Sequence, residues 1–267
     1  MGFSLRKFEV NNWTFESPKI KKETTMVVIS DLHECEFGDN NCRLFATIKD
    51  LAPDCIVIAG DLIEAGRNAD CTRTMQFLKQ LSDNFPVYFG VGNHERKVFE
   101  MKKYVAQQKR LVKGLQEAGV GLIRNEYFDL PESNIRITGL DLERTYYHKV
   151  TRVPVPAEHL LELLDNADES RYNILLAHNP EHFEDYVTWK PDLVLSGHVH
   201  GGIIRLFGKG IISPAYKLFP KYDGGLFEKD DTKMLLSRGA GSHSINLRIF
   251  NRPEILYVTL RPILTDC

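Results

Sequence analysis

The sequence lacks the features that mark membrane, fibrous or strongly charged proteins. It contains no apolar run near the ~20 residues of a membrane-spanning helix, no low-complexity tract and no internal repeat. Charge of one sign is not in excess, because 34 Lys and Arg residues stand against 36 Asp and Glu residues. Net charge therefore gives no reason to expect nucleic-acid or membrane binding, although a local basic patch stays open.

Cysteine is also scarce, and the chain has no C-x-x-C pair of the kind that binds zinc. Its odd number of cysteines favours free thiols in a reducing compartment. The N-terminus has no apolar stretch after its basic residues, and Arg6 occupies the position where a myristoylation motif requires Ser or Thr. We therefore expect a cytoplasmic protein. The cysteines are Cys35, Cys42, Cys55, Cys71 and Cys267.

Short apolar runs alternate with amphipathic helical patterns over most of the chain, which predicts βαβ units and a mostly parallel sheet. Strands are predicted at Met26–Ser30, Cys55–Ala59, Val87–Gly90, Ile135–Leu140, Asn173–Ala177 and Leu193–Ser196. Helices are predicted over 44–51 after a possible Asn40 cap, over 71–81 after Asp70, and at Val98–Glu117 and Glu158–Asp165. Later strand-like segments at Ile203–Leu206, Ile211–Ile212, Met234–Ser237 and Ile255–Leu260 fit mixed or antiparallel pairing. A second sheet packed on the first, with helices outside, would make residues 1–267 one domain.

Metal-ligand side chains follow five of the predicted strands. Because parallel strands bring their carboxyl ends to one edge of a sheet, these side chains are expected to converge there. Carboxylate, amide and imidazole groups in such a cluster predict a two-metal hydrolytic site. The candidate ligands are Asp31, His33, Asp61, Asn93, His178, His198 and His200.

Each of these motifs taken alone has an ordinary structural explanation. An Asp after a strand often forms a turn or caps a helix, and a lone His is often a hydrogen-bonded structural residue. The ordered set, with an Asp-x-His pair at one end and a His-x-His pair at the other, favours a metal site. On an extended segment Asp31 and His33 would point the same way, and His198 and His200 would do likewise. Flanking glycines would permit close backbone approach.

The series Asp-x-His, Gly-Asp, Gly-Asn-His-Glu, His, Gly-His-x-His resembles the calcineurin-like metallophosphoesterase superfamily. It runs from Asp31 to Gly202. The segments Phe219–Gly225 and Ser237–Gly239 are similar to the bacterial YkuE/YaeI-like branch. The resemblance implies an α/β fold, a four-layer α-β-β-α sandwich with a dinuclear metal site at the strand ends. The segment Asp61–Arg67 lacks the motif of protein Ser/Thr phosphatases, which argues against that subclass.

The resemblance implies that Asp31, His33 and His200 bind one divalent ion and that Asn93, His178 and His198 bind a second. Asp61 would bridge the two ions, which would be manganese, iron or zinc. A hydroxide held between them would attack phosphorus in line. His94 would act as the general acid, with a structural role as the alternative. Glu95 would cap the following helix or orient His94.

These features predict a metal-dependent phosphohydrolase, with diester hydrolysis favoured because the YkuE/YaeI-like branch includes a nucleotide-sugar-lipid pyrophosphatase activity. The substrate would be a small phosphorylated molecule, such as a nucleotide or lipid diester. A nuclease or a phosphomonoesterase using the same site remains an alternative, and a non-catalytic scaffold is a further one. Arg238, His243 and the Tyr146-Tyr147 pair are further residues that either line the site or pack in loops. The sequence does not indicate an oligomeric state.

Overall fold

The computed structural model describes residues 7–67, 69–148, 152–206, 208–212, 218–242 and 248–263. The strands are β1 (Glu9–Ser17), β2 (Thr24–Ile29), β3 (Cys55–Ala59), β4 (Val87–Gly90), β5 (Leu122–Ile123), β6 (Glu126–Leu130), β7 (Ile135–Gly139), β8 (Tyr172–Leu176), β9 (Leu193–Ser196), β10 (Ile204–Leu206), β11 (Lys209–Ile212), β12 (Gly225–Lys229), β13 (Thr232–Leu236) and β14 (Glu254–Pro262). The α-helices are α1 (Cys42–Leu51), α2 (Thr72–Ser82), α3 (Asn93–Glu100), α4 (Val105–Ala118), α5 (Ala157–Leu164) and α6 (Phe183–Tyr186). Short 3-10 helices lie at Asp39–Asn41, Lys102–Tyr104, Arg144–Tyr147, Pro180–His182 and Val187–Trp189.

Two six-stranded sheets form the centre of the fold. The first has the strand order β1-β14-β2-β3-β4-β5, and the second has the order β12-β13-β9-β8-β7-β6. Strands β2 to β5 run parallel to one another, and so do β7, β8, β9 and β13. The loops after β2, β3 and β4 therefore leave one edge of the first sheet together. Those after β8 and β9 leave one edge of the second sheet.

The two sheets pack face to face through branched aliphatic side chains. Val28 and Val57 of the first sheet and Ile137 and Ile174 of the second belong to one fully buried cluster. Burying a side chain of this size contributes about 1.5–3 kcal/mol, so the layer between the sheets is a major source of stability.

Helices cover the outer face of each sheet. Leu111 of α4 packs in a buried cluster with Ile56 of the first sheet, and α1 and α2 contribute to the same cluster. Leu160 of α5 packs with Leu175 of the second sheet, together with Phe183 of α6. The order of layers is therefore helix, sheet, sheet, helix, which confirms the predicted α-β-β-α sandwich.

Helix boundaries differ from the predictions by more than two residues only in the region of α3 and α4. The helix predicted over Val98–Glu117 is divided into α3 and α4, because Met101 adopts an extended conformation with φ −98° and ψ 115°. The first of these starts earlier than predicted, since the Glu95 carboxylate accepts the Gly92 backbone N–H at 3.0 Å and caps the helix there. Asn40 does not cap α1, because it lies in the preceding turn with φ 49°.

The tail of the chain contributes strands to both sheets. β14 pairs antiparallel with β2 in the first sheet, and β13 pairs parallel with β9 in the second. The predicted mixed pairing is therefore confirmed. Among the residues described, no helix has the length and apolar character needed to cross a membrane.

Candidate metal centre

The predicted ligands meet where the loops after β2, β3 and β4 face those after β8 and β9. Their donor atoms form overlapping groups in which all atoms lie within 4.8 Å of one another. Asp61 belongs to two of these groups. The groups are Asp31 with His33 and His200, His33 with Asp61 and His94, and Asp61 with His178 and His198. The first and third groups have the oxygen and nitrogen atoms to hold a divalent cation, and the middle group joins them through His33 and Asp61.

The backbone around these side chains is strained rather than extended. Five of the predicted ligands have positive φ angles, a region that non-glycine residues occupy at a cost of roughly 1–3 kcal/mol each. The values are 51° for Asp31, 45° for His33, 53° for Asp61, 75° for His198 and 52° for His200. The extended geometry predicted for the Asp-x-His and His-x-His pairs is therefore wrong. Successive left-handed turns, and not strand alternation, direct these side chains inward.

Two glycines let the loops approach closely enough to form this cluster. A Cβ atom on Gly92 would lie 2.2 Å from Asp61 Oδ1, and one on Gly197 would lie 2.2 Å from Asp31 Oδ2. Both distances are far inside van der Waals contact, so no larger residue fits without moving a carboxylate. The prediction that flanking glycines permit close backbone approach is therefore confirmed at these two positions.

The Asp61 carboxylate divides its two oxygens between the backbone and the imidazoles. Oδ1 accepts the His94 backbone N–H at 2.7 Å. Oδ2 lies 3.1 Å from His178 Nε2 and 3.7 Å from His33 Nε2. Because the residue is only 2% exposed, its charge needs a partner inside the protein.

Asp31 is surrounded in the same way. Its Oδ1 lies 3.8 Å from His33 Nε2, 3.7 Å from His178 Nε2 and 3.6 Å from His200 Nε2. Ligand atoms that share one cation at about 2.1 Å lie about 3–3.5 Å apart, so a small contraction would give coordination distances. The backbone N–H of His198 donates to both Asp31 oxygens at 3.0 Å and fixes the carboxylate in place.

The Asn93 amide provides an independent test of whether a cation fits. One terminal atom of this amide lies 2.7 Å from His198 Nδ1 and 3.2 Å from Asp61 Oδ2, and the other lies 3.1 Å from Lys97 Nζ. Hydrogen bonding alone would turn the nitrogen toward His198 and Asp61. A cation between the three groups would instead bind the amide oxygen, because His198 Nδ1, Asp61 Oδ2 and that oxygen would then be three ligand atoms around it.

The pKa values of the imidazoles show that the buried carboxylates require positive charge beside them. Burial alone would lower the pKa of His178, but the charges of Asp61 and Asp31 outweigh it and raise this pKa to about 10. Burial lowers the pKa of His198 to about 3 and also lowers that of His200. His178 Nδ1 lies 2.7 Å from the Ala59 carbonyl oxygen, to which it donates, so Nε2 faces the carboxylates. Neutral imidazoles oriented by such a hydrogen bond are suited to metal binding, in which cations take over the neutralising charge.

The Glu95 carboxylate connects the loop after β3 to the loop after β4. Its carboxylate accepts the backbone N–H groups of Asp61 at 2.8 Å, Gly92 at 3.0 Å and Ile63 at 3.2 Å. The predicted capping role is confirmed, and the carboxylate also reaches the Gly-Asp loop. Burial, followed by the negative charge of Asp61, raises the pKa of Glu95 to about 7.

Replacing Glu95 by Ala should destabilise the metal-free protein by about 2–4 kcal/mol, because three buried N–H groups lose their acceptor. Urea unfolding of chelator-treated protein measures this change. The matched control is Glu117→Ala on α4, where the side chain is 62% exposed and a loss within about 0.5 kcal/mol is expected. Equal losses of unfolding free energy for both variants would contradict the structural role of the Glu95 carboxylate.

His94 has one ring nitrogen committed to the backbone. The Ala65 N–H donates to His94 Nδ1 at 2.8 Å, and a backbone N–H can only donate. The neutral ring therefore carries its proton on Nε2. Its edge contact with the His33 ring, at a centroid distance of 4.9 Å, places it beside the predicted ligands.

Other sequence-predicted candidates have different outcomes. The Arg238 guanidinium is bound by Glu254, with Nε at 2.8 Å from Oε2, and by Glu9, so loop packing accounts for it. Tyr147 packs against the His198 ring, whereas Tyr146 stacks on the His159 ring. His243 lies outside the described residues.

Three residues near the centre were not anticipated from the sequence. Lys97 contacts the Asn93 amide from one helical turn away, a spacing that a helix starting at Asn93 would have indicated. Asn251 donates to the carbonyl oxygens of His200 and Gly202 at 2.7 and 2.6 Å. Arg248 Nη2 lies 3.5 Å from His200 Nδ1. The last two come from a distant part of the chain that carries no motif.

Comparison with known proteins agrees with this geometry. A sequence model of the calcineurin-like phosphoesterase family matches residues 24–202, which include all seven predicted ligands and His94. YpbG of Bacillus subtilis is 30% identical over 254 residues, covering 92% of this chain and 85% of YpbG. YkuE of the same organism is 29% identical, covering 88% of this chain and 78% of YkuE.

An uncharacterized metallophosphoesterase of Campylobacter jejuni is 28% identical and covers 97% of this chain. The chain spans 64% of that relative's length. The predicted resemblance to the bacterial branch that includes YkuE is confirmed by these matches. Two thirds of the chain, with the whole strand-end motif series, match the family model. The chain therefore belongs to the calcineurin-like phosphoesterase family.

Proposed function

We propose that the chain is a metal-dependent phosphodiesterase with a dinuclear centre. The observation that carries the proposal is the position of Asp61 between two groups of donor atoms. One group contains His178 and His198, and the other contains His33, which also groups with Asp31 and His200. Asp31, His33 and His200 would hold one ion, and Asn93, His178 and His198 would hold the other, with Asp61 between them. Bound at these groups, two divalent ions would supply an activated water and neutralise charge on a phosphoryl group during in-line displacement.

Three protein residues would have further roles in the reaction. Asp31 and Asp61 supply fixed negative charge, and the backbone bonds to both carboxylates keep them in place before substrate arrives. His94 presents its Nε2 proton to the oxygen that leaves phosphorus as the P–O bond breaks. A neutral imidazole can serve as such a donor to a developing oxyanion. The preference for a diester follows from the resemblance to the YkuE/YaeI-like branch.

The proposal is tested on chelator-treated protein supplied with manganese, iron(II), zinc or no metal. Hydrolysis of bis-p-nitrophenyl phosphate is compared with hydrolysis of p-nitrophenyl phosphate under each condition. We expect metal to restore diester hydrolysis, with a lower kcat/KM for the monoester. Faster monoester than diester hydrolysis would contradict the diester preference alone. Absence of hydrolysis with every metal would contradict the enzymatic proposal.

A further inference from the structure

A tyrosine outside the family motifs borders the candidate metal centre. Tyr147 ends the 3-10 helix Arg144–Tyr147, and its ring meets the His198 ring edge to face at a centroid distance of 5.6 Å. The side chain is half-buried, and within the described part of the chain its hydroxyl makes no hydrogen bond. A phenol at the rim of a polar site with its donor unused is placed to bind a ligand oxygen.

The segment that carries Tyr147 is anchored at its start. Arg96 Nη1 donates to the Asp141 carbonyl at 2.9 Å and to Oδ1 at 2.8 Å. Arg124 Nε donates to Asp141 Oδ2 at 2.7 Å, and Asp141 itself is only 4% exposed. Two guanidinium groups on one buried carboxylate give a rigid attachment, since such charged hydrogen bonds are stronger than neutral ones.

The same segment is anchored next to Tyr147 as well. The Tyr146 carbonyl oxygen accepts Asn179 Nδ2 at 2.9 Å and His182 Nε2 at 2.7 Å. His182 is buried, and its Nδ1 lies 3.0 Å from Asp185 Oδ2. Because Asn179 directly follows the predicted ligand His178, this bond ties the tyrosine segment to the metal-centre loop.

We propose that Tyr147 is a substrate-binding residue whose hydroxyl donates to a phosphoryl oxygen on the His198 side of the centre. This inference rests on the proposed function. The anchors at Asp141 and Tyr146 hold the ring beside His198 before substrate binds, so little entropy is lost on binding. A phenol is protonated at neutral pH, so the Tyr147 hydroxyl can act as the donor.

The neighbouring tyrosine provides a matched control. The Tyr146 ring stacks on His159 at 5.9 Å and meets the His182 ring at 5.7 Å, and neither histidine is a candidate ligand. Only the Tyr146 carbonyl joins the anchor. Tyr147→Phe and Tyr146→Phe therefore remove the same atom from adjacent residues of one helix. The first removes the proposed substrate donor and the second does not.

The experiment measures binding of inorganic phosphate to manganese-loaded protein by calorimetry, and kcat and KM for bis-p-nitrophenyl phosphate. Tyr147→Phe should weaken phosphate binding and lower kcat/KM by about 10-fold, the effect of one hydrogen bond to a charged group. Tyr146→Phe should change neither value by more than about twofold. Manganese stoichiometry and Tm should stay unchanged in both variants.

A second variant tests the anchor. His182→Ala removes one of the two donors to the Tyr146 carbonyl, and we expect it to weaken phosphate binding less than Tyr147→Phe does. Wild-type phosphate affinity in Tyr147→Phe would overturn the inference, as would failure of the manganese-loaded wild type to bind phosphate. Because phosphate binding needs no turnover, failure of hydrolysis would count against the proposed function without deciding the role of Tyr147.

Discussion

Replacing Asp61 by Asn is expected to lower kcat/KM for phosphodiester hydrolysis by at least about 10³-fold, which corresponds to about 4 kcal/mol. Asp61 is the only carboxylate among the described residues shared by two groups of candidate ligands, and it is almost fully buried. The amide of Asn is nearly isosteric and can still accept the His94 N–H. It lacks the negative charge, and so it should weaken the binding of both ions. Manganese titration of the chelator-treated variant measures the loss of metal affinity, and the hydrolysis rate is measured on the same samples.

The control for this variant is Asp50→Asn, a change of the same kind on the exposed side of α1. It should leave hydrolysis and metal binding as in the wild type. Circular dichroism and Tm of both metal-free variants establish that any loss is not a folding defect. Hydrolysis by Asp61→Asn within tenfold of the wild type, with both ions still bound, would exclude the bridging role.

The second large effect is expected for His94→Ala. If Nε2 of His94 donates to the leaving oxygen, its removal should cost about 10²–10³-fold for a poor leaving group. The cost should be much smaller for p-nitrophenolate, which leaves without a proton. A series of methyl aryl phosphates with phenols of increasing pKa measures this dependence. The slope of log kcat/KM against leaving-group pKa should therefore be steeper for the variant.

His148→Ala is the matched control, because His148 is exposed and lies outside the cluster. It should reproduce the wild-type slope. Manganese binding by His94→Ala should also match the wild type, since the ligand set does not require this ring. An equal loss across all leaving groups would assign His94 a positioning role and remove it as the proton donor.

Much of the fold and the ligand set could be predicted because the information is local. Each strand run that precedes a candidate ligand ends within three residues of it, as Val27–Ile29 does before Asp31, and parallel strands bring such ends together. The alternation with amphipathic helices predicted βαβ units and a mostly parallel sheet, and the family resemblance implied the four-layer order. The strand bounds predicted at Cys55–Ala59, Val87–Gly90 and Leu193–Ser196 are those of the structure.

Other features depend on contacts that sequence patterns do not record. β1 pairs with β14 from the other end of the sequence, and the consecutive residues Asn11 and Asn12 interrupt the polar and apolar alternation that would have predicted β1. The left-handed backbone at Asp31 and His33 depends on bonds to the facing loop, such as Asp31 N to the Gly60 carbonyl at 3.0 Å. The position of Tyr147 depends on distant anchors at Arg96 and His182. In each case tertiary structure overrides local preference.

The most direct test of the central claim is a manganese titration of chelator-treated wild-type protein, with bound metal and bis-p-nitrophenyl phosphate hydrolysis followed together. A dinuclear centre built on Asp61 predicts that hydrolysis rises until two equivalents are bound and then stays constant. Full hydrolysis with one equivalent, or hydrolysis that persists without metal, would contradict it.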